Sequence, residues 1–110
     1  MKAQFIIEDK NKEINKNYDV WLAGNVNPAL RSEICNTLCS VPFNDGNLPD
    51  FTAFWEYNPK KDEWWISLRG VETKSPDLSV ISNLFGGGGH SMASGFTIKS
   101  TKGLRENFLF

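Results

Sequence analysis

Histidine and cysteine are nearly absent from this chain: it has one histidine, His90, and two cysteines, Cys35 and Cys39. A zinc site takes about four ligands, and a distant histidine with two cysteines does not form a recognised ligand pattern, so no metal is expected to be bound by this chain alone. The cysteines are four residues apart on a segment that reads as a helix. That spacing stacks their side chains on one face but suits disulfide geometry poorly, and buried free thiols are expected. Long hydrophobic runs are also missing. No stretch approaches the roughly 20 apolar residues that cross a bilayer, and the polar start Met1-Lys2-Ala3-Gln4 lacks the long hydrophobic segment of a secretion signal. A cytoplasmic location without a membrane partner is the resulting expectation. Finally, there is no excess of positive charge. With a net charge of −1, any contact with nucleic acid has to come from a local patch, because no global field exists to drive it.

What is present is material for one core. A length of 110 residues suits a single domain, and 40% hydrophobic with 13% aromatic residues describes a folded chain rather than a disordered one. Gln4 to Ile7 reads as a short strand. Glu8 to Asn17 is polar and reads as a linker or exposed turn, so residues 1–17 are expected to be an N-terminal extension and residues 18–110 the ordered domain. Tyr18 to Ala23 carries the apolar run of a strand buried on both faces and ends at Gly24. Asn27-Pro28 is a helix start, since asparagine caps free amides and proline suits the first helical position. The helix is predicted to run to about Ser40. Its stripe of Leu30, Ile34 and Leu38 is expected to pack on the sheet, with Arg31, Ser32 and Asn36 elsewhere on its surface.

Phe43 to Pro49 is rich in turn residues. Phe51, Ala53, Trp55 and Tyr57 then alternate along a strand, Asn58 to Glu63 turns, and Trp64 to Arg69 returns as its partner. On the return strand Trp64, Ile66 and Leu68 point to one side, and Trp65, Ser67 and Arg69 to the other. The second trio suits a nucleotide: a ring stacks a base, a hydroxyl donates to phosphate, and a guanidinium grips phosphate oxygens in pairs. A half-exposed strand face with routine cross-strand pairing is the alternative. Ser75-Pro76-Asp77 starts a second helix, with Leu78, Ile81, Leu84 and Phe85 as its buried face.

That helix ends in Gly86-Gly87-Gly88-Gly89-His90. Four consecutive glycines add backbone freedom that folding must remove, which makes sense where bare amides approach an anion such as phosphate. A hinge or a helix stop with surplus glycine is the alternative. A final strand follows, within Ser91 to Ile98. The order of elements predicts an α/β (α+β) fold, a single domain with a mixed sheet of about five strands and two or three packed helices.

The string Ser67-Leu68-Arg69, the helix Asp77 to Leu84, and Phe85-Gly86-Gly87-Gly88-Gly89-His90-Ser91-Met92-Ala93-Ser94-Gly95-Phe96 together resemble the DHH-associated C-terminal domain of DHH-family phosphoesterases. RecJ-like exonucleases, nanoRNases and cyclic-dinucleotide phosphodiesterases are similar. The resemblance covers about Val20 to Ile98, and its distinctive part is Ser-x-Arg combined with the glycine-histidine string. It implies that Ser67, Arg69 and Gly86 to His90 hold the phosphate or nucleotide end of a substrate. Trp65 is a candidate for stacking a base. Ser32 and Asn36 follow from a looser match of the segment Arg31 to Asn36 to a substrate-proximal helix.

The resemblance also implies a hydrolase whose metals, usually manganese, sit in a separate catalytic domain containing an Asp-His-His string. This chain has no such string. The expectation is therefore a substrate-recognition domain that presents a nucleotide or short single-stranded nucleic acid to a DHH catalytic domain of the same parent protein. The alternative is a stand-alone nucleotide or nucleic-acid binding or sensor module without a hydrolytic role. A related domain in alanyl-tRNA synthetases and their editing relatives keeps contact with tRNA open.

Overall fold

The chain begins with a hairpin. The computed structural model describes residues 1–9, 11, 14–24 and 27–110. Strand β1 (Lys2–Asp9) pairs antiparallel with β2 (Ile14–Gly24), with Phe5 opposite Tyr18 and Ala3 opposite Val20. Residues 2–9 and 14–17, expected to be an extension, thus belong to the sheet of the domain. Ala3, Phe5 and Ile7 alternate into the core, and Phe5 is 0% exposed; this period-2 burial ties β1 to the sheet. Residues 10, 12 and 13 of the expected linker lie outside the described residues.

After β2, Asn27 accepts a hydrogen bond at Oδ1 from the Ala29 amide at 3.0 Å, as a helix-start asparagine should. A 3-10 turn over Pro28–Leu30 leads into α1 (Arg31–Leu38). The strands β3 (Phe51–Asn58) and β4 (Glu63–Gly70) form the expected hairpin. Helix α2 (Leu78–Leu84) is capped by Asp77, whose carboxylate accepts from the Ser79 amide. Then follow β5 (Gly88–His90), β6 (Ala93–Lys99), α3 (Thr101–Asn107) and β7 (Phe108–Leu109).

These strands make one seven-stranded sheet in the order β5-β6-β4-β3-β2-β1-β7. It is mixed because β2 and β3 run parallel. A parallel pair needs a crossover, and the segment carrying α1 provides it. The two strands beyond the expected five are β5 and β7, of three and two residues, too short to show a pattern.

Strand alternation divides the sheet into two unlike faces. One carries Phe5, Val20, Leu22, Phe51, Ala53, Ile66, Leu68, Phe96 and Ile98, and is sealed by Leu78 and Ile81 of α2 and Leu104 of α3. The other carries Thr52, Phe54, Ser67 and Arg69, and α1 lies over it, with the Thr52 hydroxyl donating to the Cys35 carbonyl at 3.1 Å. The domain is therefore α+β, with helices on both sides of the sheet. Among the described residues, no helix is long and apolar enough to cross a membrane.

Candidate functional site

Residues opposite one another on neighbouring strands share a face of the sheet. In β4, Arg69 stands opposite Thr52 of β3 and Ala93 of β6, and Ala93 stands opposite His90 of β5. Ser67 stands opposite Phe54 and Gly95, and Gly95 opposite Gly88. Trp65 stands opposite Glu56 and Thr97. Strand register thus collects Trp65, Ser67, Arg69 and His90 on the α1 face, with only the small residues Ala93 and Gly95 between β4 and β5.

The N-terminal turn of α1 closes on this row. Arg31 Nη1 donates to Ser67 Oγ at 3.5 Å, while Arg69 donates through Nη2 to Ser32 Oγ at 3.2 Å and through Nη1 to the Leu68 carbonyl at 2.9 Å. One and two turns further along, Cys35 meets Thr52 and the Cys39 thiol donates to the Gly70 carbonyl at 3.3 Å. The sheet-facing stripe of α1 is therefore Arg31, Cys35 and Cys39. This overturns the expected packing of Leu30, Ile34 and Leu38. Leu30 is 46% exposed, and the three residues line a shallow outer groove of about 330 Å³ with Glu33 and Thr37. The physical reason is the sheet surface beneath, where Thr52, Ser67 and Arg69 present hydroxyls, carbonyls and a guanidinium that a polar stripe can satisfy and leucines cannot. Both cysteines are free thiols. Burial pushes both upward in pKa, opposed by the Thr52 hydrogen bond and the nearby Arg69 charge.

Two guanidiniums thus lie on one face, Arg31 donating to the Ser67 hydroxyl and Arg69 to the Ser32 hydroxyl and the Leu68 carbonyl. Among the described residues, neither has a carboxylate within ion-pair distance; the ion pair found there, Lys74 with Asp50, lies elsewhere. The sequence reading missed Arg31 as a site residue. The clue was its spacing of four from Cys35 and of eight from Cys39, which puts all three on one side of a helix.

Beyond Trp65 the face opens into a groove of about 510 Å³, lined by Arg31, Glu56, Tyr57, Glu63, Trp65 and Thr97 among others. Trp65 is 47% exposed. Ser32 joins the site through Arg69, whereas Asn36, a turn further along α1, is exposed and is not brought to the row.

The glycine run serves several purposes. Gly86, at φ 80°, and Gly87 turn the chain out of α2, their amides donating to the carbonyls of Asn83 and Ser82 at 3.1 and 2.9 Å. Those two amides are engaged in ending the helix, which corrects the expectation that they face an anion. The helix end also presents the negative pole of its dipole, the wrong sign for that task. The expected loop is in fact strand from Gly88 onward, paired to β6. A Cβ at Gly87 would lie 2.1 Å from the Gly95 carbonyl oxygen, and at Gly89, φ 141°, 2.7 Å from that of Ala93. At Gly88 it would meet only Asn83 Oδ1, at 3.6 Å. His90 ends β5 with its side chain exposed.

Among the described residues, no three His, Cys, Asp or Glu side chains converge as metal ligands would. The described side chains thus do not assemble the several carboxylates and imidazoles that a two-metal centre takes.

No family model matches the chain. The chain is similar to an uncharacterized protein of Acanthamoeba polyphaga mimivirus, with 37% identity over 103 residues, covering 93% of this chain and 22% of the viral protein. The chain therefore spans about a fifth of the length of the curated relative it matches.

Proposed function

We propose that this domain is the substrate-recognition domain of a phosphoesterase of the DHH type. It binds the phosphate-bearing end of a nucleotide or short single-stranded oligonucleotide in the cytoplasm. Hydrolysis belongs to a metal-dependent domain of the same parent protein, with manganese or another divalent metal held there. The observation that carries the reading is the pair of guanidiniums, Arg31 on Ser67 Oγ and Arg69 on Ser32 Oγ, without a carboxylate counter-ion among the described residues and on the face that also bears His90 and Trp65. Unneutralised guanidiniums beside hydroxyl donors are a site for an oxyanion. The partial coverage of the viral relative supports a module that occurs inside longer chains.

In this reading Arg69 uses two of its five N–H groups on Ser32 and Leu68, and the rest are available to phosphate oxygens. Arg31 approaches from the helix side, Ser67 donates its hydroxyl hydrogen, and His90 donates from the sheet edge. Gly86 and Gly87 set the turn that places β5, and the bare backbone at Gly88 and Gly89 leaves room beside the anion. Trp65 stacks the base.

Titration calorimetry with a 5′-phosphorylated dinucleotide tests this. Arg69→Ala is expected to weaken binding by about 1.5–3 kcal/mol, the range for a hydrogen bond to a charged group, and to leave the circular dichroism spectrum unchanged. Equal affinity of the variant and the parent would remove the role assigned to Arg69.

A further inference from the structure

We infer that the groove beyond Trp65 reads the nucleobase and favours guanine, with Glu56 as the reader. This rests on the nucleotide reading above. Side chains two apart on a strand are spaced by about 7 Å, so Trp65, Ser67 and Arg69 mark a line about 13 Å long from groove to phosphate site. The two ends differ in charge. Around Ser67 the charged groups are guanidiniums, whereas the groove sets the carboxylates of Glu56 and Glu63 against Arg31 alone. A phosphate placed in the groove would meet like charge, which is disfavoured. The uncharged end of a nucleotide therefore belongs there, and the ligand lies along β4 with its phosphate at Arg69.

The same carboxylates select among bases. Glu56 is the direct cross-strand partner of Trp65, so it stands beside any base stacked on that ring. An ionised carboxylate only accepts hydrogen bonds. Guanine presents its N1–H and its exocyclic amine side by side, two donors matched to two carboxylate oxygens. Adenine and cytosine put a ring acceptor beside their amine, which would face a carboxylate oxygen. Uracil has a single N–H between two carbonyls. The groove therefore complements one edge and opposes the others.

The full chain is titrated with 5′-phosphorylated dinucleotides of guanine, adenine, cytosine, uracil and hypoxanthine, the last keeping N1–H but lacking the amine. Guanine is expected to bind about 10- to 100-fold tighter than adenine, with hypoxanthine between them, as for a bidentate contact. Glu56→Gln, at an exposed position, should bring guanine down to the level of adenine, while Arg69→Ala should weaken all five by a common factor. If the five bases bind alike, or if Glu56→Gln keeps the guanine preference, base reading is overturned and phosphate recognition stands wherever Arg69→Ala still weakens binding. If no dinucleotide binds, both readings fall.

Discussion

Adjacent glycines in the run are expected to respond in opposite ways to the same added methyl group. Alanine at position 87 would put Cβ 2.1 Å from the Gly95 carbonyl oxygen, 2.7 Å from Phe96 Cβ and 2.8 Å from Phe96 Cα. Two of these are backbone atoms of β6, so β5 must retreat by about 1 Å to relieve them. Overpacking of this kind costs about 1–3 kcal/mol, and a disturbed hydrogen bond adds about 0.5–1.5 kcal/mol. Gly87→Ala should therefore lose about 1.5–4.5 kcal/mol, which lowers the Tm of a domain this size by roughly 6–18 °C. Gly88 is outside the positive-φ glycines, and its added Cβ would touch only Asn83 Oδ1, at 3.6 Å. Gly88→Ala should gain about 0.4–1 kcal/mol, because alanine reduces the freedom of the unfolded chain. Urea denaturation of the two variants beside the parent gives both numbers. A Gly87→Ala protein as stable as the parent would refute the close approach of β5 to β6. The same proteins also separate packing from ligand contact: if bare backbone at Gly88 receives the nucleotide, Gly88→Ala is more stable yet binds the dinucleotide less tightly.

Two further outcomes concern stability. Ser94 Oγ is 2.6 Å from Ser82 Oγ and donates to the Leu78 carbonyl at 2.8 Å, all buried; Ser94→Ala should cost about 1–3 kcal/mol in denaturant titrations, because it leaves the Ser82 hydroxyl without this partner. The Asp77 cap should show in the pH profile. Its carboxylate is held below the usual range, first by the Ser79 hydroxyl and then by the Ser79 and Val80 amides. A group with a depressed folded-state pKa contributes stability that is full above its unfolded value, about pH 4, and lost as pH falls through the folded value. The stability difference between parent and Asp77→Asn should thus be constant from pH 7 to about pH 4 and shrink below it; a difference growing on acidification would contradict the cap.

The hairpin of β3 and β4 was readable because each strand alternates over several residues, and α2 because Asp77 and the glycines mark its ends. The face of α1 was not. Its most apolar stripe, Leu30, Ile34 and Leu38, is the natural choice for packing only if the sheet beneath is apolar, and that surface is assembled from β3 and β4, distant in sequence. The glycines of β5 have no side chains to alternate. The segment Gln4 to Ile7 reads as a strand, but its partner follows a polar turn, which disguised the hairpin as an appendage. Helix α3 includes Gly103, a poor helix former, and is held by the Ser100 cap and by burial of Leu104.

Local periodicity and turn chemistry dictate which side of β4 is polar, where α2 begins and ends, and that a ring, a hydroxyl and a guanidinium share one strand face, because these depend on residues within a few positions of one another. Only the folded sheet decides that Arg31 comes from another element to flank Ser67, that His90 shares the row of Arg69 through Ala93, and that Glu56 stands beside Trp65. Those neighbours depend on strand register and on the seating of a helix. Both are outcomes of packing between segments tens of residues apart, and no short-range pattern encodes them.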